Sequence, residues 1–378
     1  MNGTVRGRPD FLLLFLILLL VGFGMVMIFS ASSATAYYKY GSPLYYVYKQ
    51  GIFALAGFII MLFFMAIPYP FWKKTAPFLL VFSLLLLVLV LVAGVNINGA
   101  KRWFVVGSFN FQPAEFSKLA IIVYLSAMIS KKGPKFQSFR RGLLPLLLMI
   151  GFMLLLVMKQ PDFGTVMILA FISCSILLVG GVNLRHFALL CIAVIPLFVF
   201  LAVSKSYRFK RLSSFLNPFE NQSDSGYQLI QSLYALGHGG FTGTGLGKSV
   251  QKLFYLPEAH TDFIFAVIGE EMGFVGSSLF LLVFFLFIWR GFITAVRSQD
   301  PFAHMLGMGI VSMIFIQFLL NLGAVTGMLP ITGVPLPLTS YGGSSLILCM
   351  ACTGILLNIS RDNHRRRLDQ QQASQSAR

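Results

Sequence analysis

The sequence predicts an all-α, polytopic membrane protein. Of its 378 residues, 57% are hydrophobic and only 11% are charged, and the mean hydropathy is +0.81. A soluble chain carries about a quarter charged residues. Apolar stretches of about 20 residues, long enough to cross a bilayer as helix, recur from one end to the other. Residues 1–360 therefore read as one membrane domain.

Ten stretches qualify as spans, in the order 11–31, 47–67, 76–95, 113–130, 142–158, 164–182, 186–204, 262–289, 304–327 and 342–359. The first follows Arg6 and Arg8. It is longer than a signal-peptide core and lacks a convincing cleavage site, so it reads as retained. The fourth opens on Pro113, which suits a first helical turn. The sixth follows Asp162, a residue type that caps helices. The eighth opens on Asp262 and continues through Phe263-Ile264-Phe265-Ala266-Val267.

Ten spans put both termini on one side. One set of loops carries Lys73, Lys74, Lys131, Lys132, Lys135, Arg140, Arg141, Arg185, Arg290 and Arg297, and the termini add Arg6, Arg8, Arg361 and Arg365 to Arg367. That face is expected to be cytoplasmic by the positive-inside rule. These loops and the tail hold many of the basic residues behind the net charge of +17, so no nucleic-acid partner is implied. The polar tail 361–378 is expected to be disordered. The four cysteines fall in apolar stretches, which argues for helix packing over a disulfide framework.

The segment 205–261, between spans seven and eight, would lie outside. It carries Lys205, Arg208, Lys210, Arg211, Lys248 and Lys252, contrary to the usual charge bias, and so suits an anionic substrate. Glycines are frequent in it, and the apolar run Gln228–Leu236 is expected to form a short interfacial helix. Loops of this length are usually functional.

Ionisable residues within or at the ends of spans are functional candidates by default. Glu115 and Lys118, three apart at the start of span four, share a helical face. They are either a mutually neutralising pair or a cation held ready for a phosphate. Asp162, in a short outer turn, either caps span six or faces the same outer cavity as Asp262. Asp262 itself could cap a helix. At a membrane lip beside apolar walls, however, its pKa should rise, which suits a general base. Glu258 precedes it by four residues, and Glu270, eight beyond, would lie near the same helical face. His260-x-Asp262 is a weak metal-ligand signal. The basic set Arg208, Lys210 and Arg211 suits bidentate phosphate contacts, with anionic lipid heads as the alternative. Gly243-Thr244-Gly245-Leu246-Gly247-Lys248-Ser249 resembles a phosphate-binding loop, but Thr242 stands where that motif needs glycine. It reads as a flexible loop, with Lys248 and Lys252 joining the substrate-binding set.

Five motifs follow one another along the chain: Gln112-Pro113-Ala114-Glu115-Phe116-Ser117-Lys118, Gln160-Pro161-Asp162-Phe163-Gly164-Thr165, Gly226-Tyr227-Gln228, Leu256-Pro257-Glu258-Ala259-His260-Thr261-Asp262 and Leu338-Thr339-Ser340-Tyr341-Gly342-Gly343-Ser344. On these the chain resembles the SEDS family (shape, elongation, division and sporulation proteins), nearer to its FtsW and SpoVE branch than to RodA. The resemblance implies a ten-span peptidoglycan glycosyltransferase of the bacterial cytoplasmic membrane that polymerises lipid II. It implies work beside a class B penicillin-binding protein in a division, elongation or sporulation complex. It gives Asp262 the catalytic role. It gives Glu115, Lys118, Asp162, Arg211 and Ser340 places at the substrate, with a divalent cation (Mg or Mn) as a candidate helper. A lipid II flippase or a non-catalytic scaffold are the competing readings. The first needs polar groups through the full depth of the bilayer, whereas most ionisable residues here gather near one surface.

Overall fold

The computed structural model describes residues 7–97, 99–107, 109–204, 206–219 and 225–376. Lys205 lies outside them. The described helices are α1 (Phe11–Tyr40), α2 (Tyr45–Ala66), α3 (Pro70–Ala93), α4 (Pro113–Lys132), α5 (Leu144–Met158), α6 (Phe163–Val179), α7 (Leu184–Val203), α8 (Ser206–Leu216), α9 (Ser225–Gly239), α10 (Ile264–Val296), α11 (Pro301–Val325) and α12 (Gly343–Ser376). Local chemistry sets many of their starts. Asp10, Asp162, Asn183 and Asp300 accept backbone N–H bonds as N-caps, and Pro70, Pro113 and Pro301 stand in first turns where no donor is lost.

Among the described residues, eight helices are long and apolar enough to cross a membrane. Phe163–Val179 and Leu184–Pro196 are shorter apolar helices. The fold is thus a polytopic membrane bundle. The central helices α4, α11 and α12 bury most of their length. Peripheral helices turn large apolar side chains outward, such as Leu55, Ile59 and Phe63 on α2 and Phe78 and Leu85 on α3. That arrangement is stable where the solvent is lipid, which is as apolar as the side chains it meets. The four cysteines are free, with Cys349 and Cys352 packed inside on α12.

Three features depart from the sequence expectation. Residues 95–111 hold three short antiparallel strands, β1 (Val95–Ile97), β2 (Ala100–Val106) and β3 (Phe109–Phe111), with Val95 opposite Trp103 and Phe104 opposite Phe111. The tail, expected to be disordered, continues α12 as helix to Ser376. Arg365 and Arg366 each bond Asp362 at 2.7 Å, one turn back, and Arg366 donates to the Tyr69 hydroxyl at 2.8 Å. Pairs at that spacing support a helix that composition alone would leave open.

The third departure is inside the 205–261 segment. It holds two helices, α8 and α9; α9 covers the expected Gln228–Leu236 helix and extends it. The chain then runs back against α10, which is broken at Gly273 (φ +64°). Across the break, Thr244 and Gly245 donate backbone N–H bonds to the carbonyls of Glu270 and Glu271, both at 3.0 Å. Phe274 and Val275 in turn donate to the carbonyls of Gly240 and Phe241. A Cβ on Gly273 would stand 2.3 Å from the Gly243 nitrogen. The glycines therefore let two backbones meet and supply each other's hydrogen bonds, the condition for a broken helix in an apolar setting.

Candidate functional site

A cavity of about 790 Å³ opens between the start of α4, the 158–163 turn, α8, the 258–262 turn and the 329–345 connection. Its lining carries charge of both signs: Arg102, from β2, with Lys118, Arg208 and Arg211 against Glu115, Asp162, Glu258 and Asp262. The lining is therefore balanced, not simply basic.

Asp262 sits two residues before the start of α10 and does not cap it, since Phe263 is the cap residue. Its backbone carbonyl accepts from the Asn321 amide at 2.7 Å, and the same amide bonds the Val334 carbonyl at 2.8 Å. That clamp fixes the main chain of Asp262 between α11 and the 329–345 connection. Among the described residues no donor reaches its carboxylate. Burial pushes its pKa up to about 7, the negative charge of Glu258 adds to the rise, and the Arg211 guanidinium opposes it. A largely buried carboxylate with a pKa of about 7 that faces a cavity and is not spent on a structural bond can take a proton from a bound hydroxyl.

Glu258 adopts a left-handed backbone (φ +56°), and Thr261 donates to its carboxylate at 2.7 Å. Such conformations cost on the order of 1 kcal/mol or more and tend to cluster at functional turns. His260, entertained as a metal ligand, packs its ring on Tyr46 and Tyr341 at 4.4 and 5.5 Å. Burial lowers its pKa, and it does not line the cavity.

Lys118 and Glu115 form a buried pair at 2.7 Å, and Lys118 also reaches the Gln317 side chain at 3.3 Å. The two charges neutralise each other, and both side chains line the cavity. Asp162 likewise does two things. It caps α6 through Thr165 at 3.1 Å, accepts from Gln112 at 3.0 Å, and faces the cavity. Arg208 on α8 lies 5.3 Å from the centre of the Phe163 ring, while Arg211 donates to the Ile331 carbonyl at 3.3 Å.

Three residues of the expected substrate set are elsewhere. Lys252 is buried against Glu271 at 2.7 Å and Ser30 at 3.0 Å, so its charge is spent holding the 241–252 loop to α10 and α1. Lys248 is on the exposed tip of that loop. Ser340 is buried in a turn, where it accepts from the Leu336 N–H at 2.9 Å. Glu270 does not share the Asp262 face either, because Asp262 precedes the helix; it binds His238, Ser249 and the Val250 N–H.

Sequence reasoning missed Arg102, Gln317 and Asn321. Arg102 grips the carbonyls of Gln160 and Pro161 and thereby sets the turn that carries Asp162. Its position depends on the strands at 95–111, which carry no strong pattern. Gln317 and Asn321 were legible: two amides four residues apart in an apolar span share one face and call for partners.

The family model described as "cell cycle protein", covering FtsW, RodA and SpoVE, matches residues 11–365. Stage V sporulation protein E of Bacillus subtilis is 44% identical over 360 residues, spanning 95% of this chain and 98% of that protein. A probable peptidoglycan glycosyltransferase FtsW of Geobacter sulfurreducens is 41% identical, over 93% and 95% of the two chains. Among solved structures, a peptidoglycan synthase complex that coordinates polymerization and crosslinking contains a chain similar at TM-score 0.78 and 30% identity, covering 94% of this chain and 98% of that one. The Thermus thermophilus rod shape determining protein RodA is similar at TM-score 0.71 and 28% identity, with the same coverage. Matched over nearly its whole length by family model, sequence and fold alike, the chain belongs to the FtsW/RodA/SpoVE family.

Proposed function

We propose that this chain is a peptidoglycan glycosyltransferase that polymerises lipid II at the outer face of the bacterial cytoplasmic membrane, with Asp262 as general base. The observation that carries this reading is the Asp262 carboxylate, raised toward neutrality by burial and facing a cavity shared with two arginines of α8. If the two shorter apolar helices also cross, ten crossings with the basic loops and both termini inside would set that cavity at the outer surface. A lipid-borne substrate would arrive sideways along the leaflet.

In the reaction, a sugar hydroxyl oxygen bonds to an anomeric carbon while the bond from that carbon to the lipid diphosphate breaks. Asp262 accepts the hydroxyl proton, and the electron pair leaves with the diphosphate. Arg208 and Arg211 offer guanidinium donors to the developing charge, and Lys118, oriented by Glu115 and Gln317, adds positive potential from the opposite wall. Among the described residues no cluster of three metal-ligating side chains exists. Magnesium is commonly held by one or two carboxylates plus substrate phosphates, and Glu258, which lines the cavity beside Asp262, could supply one and leave Asp262 as base. When bound there, such a cation would neutralise diphosphate charge. A class B penicillin-binding protein is the expected partner in a division, elongation or sporulation complex.

The test uses purified wild type and Asp262→Ala in vesicles loaded with lipid II. Glycan strands from wild type alone support the enzyme. Precursor crossing the bilayer without polymer would assign a flippase, and neither product would leave a scaffold.

A further inference from the structure

We infer that the end of the bundle opposite the Asp262 cavity carries a phosphate-binding site that takes the head group of an anionic lipid. A second cavity, of about 410 Å³, lies where residues 8–12, the last turns of α10 and the extension of α12 meet. Its lining includes Arg8, Arg290, Arg297 and Arg367, with His364 beside them. Asp10 is the single carboxylate lining it among the described residues, and both its oxygens are taken. One accepts the Leu13 N–H at 3.1 Å, and the other accepts from Arg290 at 2.6 Å. Residues 1–6 contain no acidic side chain. The side chains of Arg8, Arg297 and Arg367 have no acceptor among the described residues.

The walls are built in advance of any ligand. Asp10 donates its N–H to Ser360 at 3.0 Å, and Asn363 donates to the Thr294 carbonyl at 2.9 Å. A Cβ on Gly7 would stand 2.0 Å from the Arg361 carbonyl oxygen, so the N-terminal segment lies directly on α12. Three unpaired guanidiniums around a preformed hollow call for an anion, and their planar donor forks match phosphate oxygens. The flank decides the source. Phe11 and Leu12 line the same cavity and are 64% and 52% exposed at the start of the first apolar span. A ligand with a phosphate and an acyl chain satisfies both surfaces, and basic pockets at the cytoplasmic ends of membrane helices bind such heads. This proposal is independent of the polymerase reading.

The test is native mass spectrometry of the purified full chain titrated with phosphatidylglycerol, with phosphatidylcholine as the neutral comparison. Wild type should retain phosphatidylglycerol preferentially. Arg297→Gln with Arg367→Gln should weaken that retention by more than about tenfold, since each surface cation contributes about fivefold. Both side chains are exposed and unpaired, so thermal unfolding should not move. The double lysine variant, which keeps the charge but not the donor forks, should retain more lipid than the glutamine pair and less than wild type. Removing equal charge outside the cavity, by Lys74→Gln with Lys131→Gln, should leave it intact. Inorganic phosphate that displaces the lipid would assign a soluble phosphate compound to the same pocket; failure to displace it would assign the lipid. Undiminished retention in the arginine-to-glutamine pair, or an equal loss in the control pair, would overturn the site.

Discussion

At Asp262, burial dominates, repulsion from Glu258 reinforces it, and attraction to Arg211 partly offsets it. The net result, a pKa of about 7, has a direct kinetic consequence. A general base works only when deprotonated, so polymerisation should rise tenfold per pH unit below about 7 and level off above it. Initial rates measured across that range check this, and a flat profile from pH 5.5 upward would contradict it. The same electrostatics makes a claim about Arg211. Replacing it with glutamate would remove the proposed diphosphate contact and add a like charge near Asp262. The apparent KM for lipid II should rise by roughly tenfold or more, the scale of one lost charged hydrogen bond. The inflection of the rate profile should also move to higher pH. A steady-state titration of the variant at matched protein abundance reads the first effect, and its pH series reads the second.

Among the elements, the 241–252 loop and the broken helix α10 depend on each other. Glu270 and Glu271 are fully buried, yet neither belongs to the candidate site. Glu271 takes bonds from Ser30, from the Ser249 N–H and from Lys252, so a single carboxylate joins α1, the loop and α10. Glu271→Gln leaves the Lys252 ammonium buried without its counter-charge, which costs about 3 kcal/mol or more. The expected outcome is a lower unfolding temperature and faster proteolysis at the loop. Glu271→Gln combined with Lys252→Met should recover much of the loss. How much of this was legible follows from the physics. The helices announced themselves because a bilayer demands long apolar runs, and Asp262 stood out because a carboxylate beside such a run is costly. The partners of Lys252 did not, because Ser30 and Glu271 lie 222 and 19 residues away, and only folding joins them. The tail misled for a related reason: its composition is polar, but Asp362 and Tyr69 give its arginines fixed partners.

For the whole molecule, the two cavities lie at opposite ends of the bundle, and their charge differs in kind. The Asp262 cavity balances four acids against four bases, which suits chemistry that moves both a proton and an anion. The other is almost purely basic and suits a held anion. This polarity requires one orientation in the membrane. A cysteine at Lys248, on the exposed loop tip, should react with an impermeant maleimide added to intact cells, whereas one at Gln371 should react only after lysis. The reverse pattern would place the Asp262 cavity in the cytosol and remove its access to outer-leaflet lipid II. The claim on which the rest turns is that residue 262 takes the proton, and the measurement that meets it most directly is the initial rate of lipid II polymerisation by purified Asp262→Asn. The variant keeps the shape and the Asn321 clamp on the backbone but cannot accept a proton. A rate at least about a hundredfold below wild type, with lipid II still bound, is expected; a rate equal to wild type would rule out Asp262 as the base.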